Sequence, residues 1–287
     1  MPARVTVERY YNWLSWFQRA TSWIGQGGGY QSLTVHRLLA SSDRAVAPAD
    51  VVHERILSAA GAKNAPRVVD AGCGLGGTIF YLHRRLGGEY DGLTLSPTQR
   101  AHAQREAKRR GAADACRFHL RSYDEDLGPI VPEGADLIVA IESLAHSVRP
   151  ERTIANLAKT LRPGGALVVV DDVPDAALPD ADADVAGFRS GWRCPAIAGH
   201  AQLLAALSNA GLDLERDEDL TPLVVRRNPQ DIERLLTVNR RWRRWAGWTG
   251  AAELIDSLHG GLMLERLYRR GLMRYRLVAA RRTAASG

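Results

Sequence analysis

Three observations predict an α/β fold, with a doubly wound, mostly parallel seven-stranded sheet whose last strand is antiparallel. Short apolar runs alternate with helix-patterned segments between residues 67 and 173. The runs are continuously apolar, as in strands that helices cover on both faces. A glycine-rich loop, VVDAGCGLGG (68–77), joins the first run to the first helical segment, at the sheet edge where such folds bind ligands.

The elements follow in order. RVVDA (67–71) reads as a strand and GGTIFYLHRRL (76–86) as a helix. YDGLTL (90–95) is the second strand. SPTQRAHAQREAKRRG (96–111) is a helix with Ser96 as cap, Pro97 in its first turn and Gly111 as its stop. CRFHLR (116–121) and ADLIVAI (135–141) are strands, PERTIANLAKTL (150–161) a helix and ALVVVDDV (166–173) the fifth strand. The breaker-rich PDAALPDADADVAG (174–187) predicts a loop. HAQLLAALSNAG (200–211) predicts a helix and LDLERDEDL (212–220) a strand. Residues 228–271 are helical and arginine-rich, and RYRLVAARR (274–282) closes the sheet as an antiparallel partner. Near the N-terminus, Val7, Tyr10, Tyr11, Leu14 and Phe17 share one face of a helical segment over 7–24, which GQGGGYQS (25–32) breaks. The expected organisation is a helical cap over 1–49 and a core over 50–287 with a helical insertion at about 221–272.

Composition narrows the function class. The 287 residues are 45% hydrophobic and 24% charged, values of an ordinary globular chain with a substantial core. No apolar run approaches the roughly 20 residues of a membrane span. The N-terminus lacks the apolar stretch of a secretory signal, so a cytoplasmic protein is expected. Cys73, Cys116 and Cys194 are far apart and suggest neither disulfides nor a zinc site. Cys73 reads as a small packing residue of the glycine loop. The net charge is +6, yet only Lys63, Lys108 and Lys159 are lysines. That arginine skew resembles a general composition bias and weakens any inference to nucleic acid.

Gly72, Gly74 and Gly77 satisfy GxGxxG, a pattern shared by dinucleotide enzymes and others. Asp70 would face the ligand from the strand end. A pyrophosphate would be repelled there, whereas S-adenosylmethionine (SAM), with its ammonium and sulfonium groups, would be attracted. A second departure is Thr94, Leu95 and Ser96, which stand where a ribose-gripping acid is usual.

The loop VVDAGCGLGG, together with LRPGG (161–165), resembles the class I, Rossmann-like, SAM-dependent methyltransferases over about residues 65–173. GLTLSPTQ (92–99) is similar to the G-x-T-L-S-x-x-Q element of the sterol, tocopherol, prenyl-diphosphate and cyclopropane-fatty-acid branches, where the ribose acid is commonly absent. The resemblance implies SAM as cofactor, held by Asp70, Ala71, Gly72 and Gly74. It also implies backbone contacts at Leu95 and Ser96 and a ribose contact from Gln99. The alternative for Ser96 and Gln99 is a helix cap and an exposed helix residue. Ser122 and Tyr123 are expected near the adenine, although the usual acid is missing there, and Ile141 beside the cofactor.

AIESLAHS (140–147) leaves the fourth strand at the ligand edge. Glu142 and His146 are the candidate catalytic residues, each a possible general base, with burial raising the Glu142 pKa. A spacing of four puts both on one side if the segment is helical. The alternative is a backbone role for Glu142 and a hydrogen-bonded lining role for His146. Tyr30, in a stretch similar to the one that closes over the methionine end in related enzymes, and Trp192 are the candidate substrate contacts. Trp13, Trp16, Trp23 and Trp192 suit an apolar acceptor, or simply pack the caps. Asp171, Asp172, Asp175, Asp180, Asp182 and Asp184 read as solvated loop rather than a magnesium site, and no metal is expected. RRWRRW (240–245) reads as a solvated helix face with Trp242 and Trp245 packed inward.

The sequence therefore predicts a SAM-dependent methyltransferase of an apolar small molecule, with carbon methylation of an isoprenoid or other secondary metabolite foremost. The alternatives are an RNA methyltransferase, disfavoured by the lack of a [DN]-P-P-[YF] motif, and a non-catalytic SAM-binding protein. A cyclopropane-type reaction lacks its bicarbonate-site pattern. The expected partner is a small acceptor, with no stable nucleic acid, no membrane span and a possible homo-oligomer through the N-terminal helix.

Overall fold

The computed structural model describes Leu33 and residues 36–61, 66–194, 197–246 and 252–283. The predicted 7–24 helix, the 25–32 break and Tyr30 lie outside the described residues.

Seven strands form one sheet in the order β3-β2-β1-β4-β5-β7-β6. They are β1 (Arg67–Ala71), β2 (Glu89–Thr94), β3 (Cys116–Leu120), β4 (Ala135–Ile141), β5 (Leu161–Val173), β6 (Leu212–Asp219) and β7 (Arg274–Arg282). β1 to β5 pair in parallel, and β7 runs antiparallel to both β5 and β6. The order reverses beside β1, so β1 and β4 diverge at a switch point, where doubly wound sheets open a ligand crevice.

Side chains alternate between two cores. Val68, Leu137, Val139, Val168 and Leu277 face one core, with α1 (Val51–Ala60), α2 (Gly77–Leu86) and α3 (Pro97–Arg109) over them. Val69, Ile138, Val169 and Val278 face the other, under α4 (Pro150–Thr160) and α6 (His200–Asn209). α3 begins as the sequence predicts. Pro97 occupies its first turn, and the Ser96 hydroxyl accepts from the Gln99 main-chain N–H at 3.1 Å. Between β6 and β7 lie α7 (Pro229–Ala246) and α8 (Ala252–Arg269), the expected helical insertion.

Three expectations change. β5 begins at Leu161, because Leu161 already pairs with Ala135 before the LRPGG turn. The predicted 174–187 loop ends early: α5 (Ala183–Trp192) starts inside it. Asp182, which reads as a breaker, is its N-cap and accepts from the N–H groups of Asp184 and Val185, while Val185 and Phe188 are buried. Trp242 is not packed inward. It is 64% exposed on α7, whose buried residues, among those described, are Ile232, Leu236 and Asn239.

Candidate active site

The glycine loop turns sharply between β1 and α2. The N–H groups of Gly72 and Cys73 both donate to the Leu93 carbonyl, tying the loop to β2. Gly72 sits at φ 105°, where a Cβ would lie 2.6 Å from Ser143 Cβ. Only glycine fits there. It lets the β4 exit pack directly on the loop, so the two lie at one sheet edge. Cys73 is buried against Gly92, and burial pushes its thiol well up, as a packing residue requires.

Asp70 is the next-to-last residue of β1, beneath this loop. It is buried, and burial alone pushes its carboxyl up to about 7. Among the described residues no cation or hydrogen-bond donor compensates it. A buried carboxyl without a partner fits a cationic ligand and opposes a pyrophosphate. Ala71 is buried beside it, and Gly74 also takes positive φ.

The second element is held tightly. The Gln99 carboxamide oxygen accepts from the Thr94 hydroxyl at 2.7 Å, and Gln99 is buried rather than exposed. The amide nitrogen is therefore the donor end not engaged by Thr94. Ser96 serves as helix cap, and Leu95 is partly exposed at the strand exit. Ser122 is buried with its hydroxyl accepting from the Asp124 N–H at 3.1 Å. The Tyr123 hydroxyl donates to the Ser143 carbonyl at 2.8 Å, so this tyrosine braces the β4 exit. Ile141, partly buried, ends β4.

Glu142 follows β4 at φ 46°, a strained left-handed position for a glutamate. Its main-chain N–H donates to the Val170 carbonyl at 2.8 Å, continuing the pairing with β5. Its carboxylate accepts from the Arg37 main-chain N–H at 2.8 Å and from the Tyr275 hydroxyl at 2.9 Å. Burial raises its pKa, with the Asp172 charge adding to the effect and Arg37 opposing it. The next residues form a 3₁₀ turn, Leu144–His146, fixed by Asp171, whose carboxylate accepts from the Leu144 N–H at 2.9 Å. Burial pushes Asp171 up to about 8.

The left-handed Glu142 followed by a 3₁₀ turn separates the two candidate bases. Glu142 turns toward β7 and Arg37, whereas His146 meets the Arg193 backbone at the end of α5, and burial lowers its pKa to about 4. A histidine so lowered is neutral at physiological pH and retains its lone pair.

Sequence reasoning missed the centre of this edge. The Arg37 guanidinium bonds Asp172 at 2.8 and 3.2 Å, and lies 5.4 Å from the Trp192 ring, 5.2 Å from Tyr268 and 5.8 Å from Tyr275. Tyr268 donates its hydroxyl to Asp172. Trp192 thus reaches the Glu142 neighbourhood, its indole N–H bonded to the Ser257 carbonyl at 3.1 Å. For Tyr275 a signal existed: RYRL alternates charged and apolar residues, which turns Tyr275 inward. Arg37 had none.

The remaining loop acids are spent on arginines. Asp175 pairs with Arg274 and Arg276, Asp180 with Arg189, and Asp182 and Asp184 with Arg270. Among the described residues no group of three or more His, Cys, Asp or Glu side chains could hold a metal ion, and no helix is long and apolar enough to cross a membrane.

Known proteins resemble this chain at the level of domain and fold. Residues 69–167 match the family described as Methyltransferase domain. The match covers about a third of the chain. The chain is 32% identical over 164 residues to methyltransferase GfsG of Streptomyces halstedii, covering 57% of each chain. The alignment thus spans less than two thirds of that relative. Geranyl diphosphate C-methyltransferase from Streptomyces coelicolor A3(2), solved with Mg2+, geranyl diphosphate and S-adenosyl-L-homocysteine, superposes with a TM-score of 0.70 over 99% of both chains at 19% identity. The [4+2]-cyclase SpnF superposes with a TM-score of 0.67 over 88% of both at 24% identity. A methyltransferase-like fold therefore does not by itself fix the reaction.

Proposed function

We propose that this protein transfers the methyl group of SAM to an apolar small molecule, an isoprenoid or another secondary metabolite. The observation that carries the reading is the buried Asp70 carboxyl, uncompensated among the described residues and set under the glycine loop. It suits the ammonium of SAM, close to a positive sulfur, and disfavours a phosphate-bearing cofactor. Gln99 would donate to the ribose, with Leu95 and Ser96 beside it, and Ser122 would lie by the adenine. SAM supplies an activated methyl group when bound.

The chain's own residues supply position and a proton acceptor. Glu142 stands across the loop at the exit of β4, with a pKa raised toward that of a working base. It takes the acceptor's proton. His146, neutral and on the other side of the turn, lines the acceptor site. Trp192, half-buried beside Arg37, gives the acceptor an apolar, π-rich wall. The relatives named above support a small-molecule acceptor over RNA. A cytoplasmic location, the 1–49 cap with Tyr30 as lid, and assembly through the N-terminal helix belong to the same proposal.

The experiment is mass spectrometry of purified protein incubated with SAM and pooled metabolites, seeking a mass gain of one methylene. Glu142→Gln should lower kcat about 100-fold or more, and His146→Ala about tenfold or less. Full turnover by both variants would end the assignment of the base.

A further inference from the structure

One half-buried cation has no place in the reading so far. Arg37 lies outside the matched methyltransferase domain, yet it meets the residues at the exits of β4 and β5. Three carboxyls crowd this edge: Glu142 after β4, and Asp171 and Asp172 on β5. In a desolvated site with one guanidinium, they cannot all ionise freely.

The donors are shared unequally. Asp172 receives both guanidinium bonds, at 2.8 and 3.2 Å, and the Tyr268 hydroxyl. Asp171 receives the main-chain N–H groups of Leu144 at 2.9 Å and of Asp172 at 2.8 Å. Glu142 receives the Arg37 main-chain N–H and the Tyr275 hydroxyl, while the guanidinium Nε stays 4.0 Å away. One residue thus neutralises one acid with its charge and aims a second with its backbone. Trp192, Tyr268 and Tyr275 seat the guanidinium by their ring faces.

We propose that Arg37 is the positioning residue of the methyl-transfer step: its guanidinium engages Asp172, its main-chain N–H aims Glu142, and Glu142 is left as the carboxylate that takes the acceptor's proton. This rests on the methyltransferase reading. With an oxygen or nitrogen acceptor, the proton leaves to a Glu142 oxygen and the freed electron pair attacks the methyl carbon. The S–CH3 bond breaks with its pair returning to sulfur. With an alkene carbon, methyl attachment comes first, and the C–H pair then rebuilds the double bond as Glu142 takes the proton.

The test compares wild type, Arg37→Lys, Arg37→Met and Arg37→Met/Asp172→Asn in two readouts. One is the pH profile of kcat/KM. The other is the melting temperature from pH 5 to 9, which needs no acceptor. Arg37→Met should move the ascending limb of the profile up by about one pH unit or more, because Glu142 then ionises beside an uncompensated Asp172. Its melting temperature should also fall more steeply as pH rises, since an acid with a raised folded pKa loses its stabilisation with rising pH. Adding Asp172→Asn should return both readouts toward wild type, Arg37→Lys should stay near it, and KM for SAM should not move. A uniform loss at every pH without rescue would show mere packing and overturn the proposal. If wild type methylates no acceptor, the methyltransferase reading fails, and the melting series still decides: an unchanged pH slope in Arg37→Met overturns the role of Arg37.

Discussion

Asp70 and Asp91 sit on adjacent strands, one register step apart: Val69 pairs with Asp91 and Asp70 with Gly92. Both are buried. Asp91 is met by His119 at 2.8 Å, Arg117 at 3.1 Å and Arg67 at 3.4 Å. Burial works against its charge, but these partners overcome it and hold the carboxyl below its usual range. Asp70 has no such partner among the described residues and is pushed up to about 7. The same side chain, buried in both places, is a paired structural ion in one and, among the described residues, unpaired in the other. What separates them is where the cations were placed: among the described residues none pairs with Asp70.

The contrast can be broken at either end. Asp91→Ala strands Arg67 and Arg117 beside each other. It should lower stability by about 3 kcal/mol in denaturant unfolding, with SAM affinity unchanged. A variant as stable as wild type would show that Asp91 is not structural. Asp70→Asn should do the reverse, weakening SAM about 30-fold, or about 2 kcal/mol, by calorimetry while leaving the fold intact. Equal affinity would remove Asp70 from the site.

The pH dependence sharpens the same difference. Asp70, raised when folded, contributes stability that is complete at low pH and lost as pH rises through about 7. Asp91, lowered when folded, contributes stability above its unfolded pKa that is lost on acidification. A cation bound at Asp70 offsets the first loss. The rise in melting temperature on saturation with SAM should therefore be larger at pH 8 than at pH 6, by a margin worth about 1 kcal/mol. An equal rise at both values would contradict this. The smallest effect belongs to Trp242, exposed on α7: its change to alanine should alter stability by no more than about 0.5 kcal/mol.

Much of the fold was legible because the signals are local. Apolar runs gave the strands, and Ser96 with Pro97 gave the start of α3. Asp182 misled because a helix cap and a loop residue have the same chemistry, so α5 was hidden within a polar stretch. The site was legible where a short motif carries it, at Asp70, Gly72, Gln99 and Glu142. It was illegible at Arg37, which joins Glu142 and Asp172 across 105 and 135 residues of chain. No periodicity marks such a partner. Glu142 and His146 also diverged, because a left-handed residue and a 3₁₀ turn replaced the helical spacing assumed for them.

The central claim, that the charge-starved Asp70 under the glycine loop selects a cationic cofactor, is met most directly by calorimetric titration at two pH values. SAM should bind, tighten between pH 6 and pH 8 and release a proton on binding near pH 7, while a pyridine dinucleotide gives no heat. Binding of the dinucleotide with SAM ignored would contradict it.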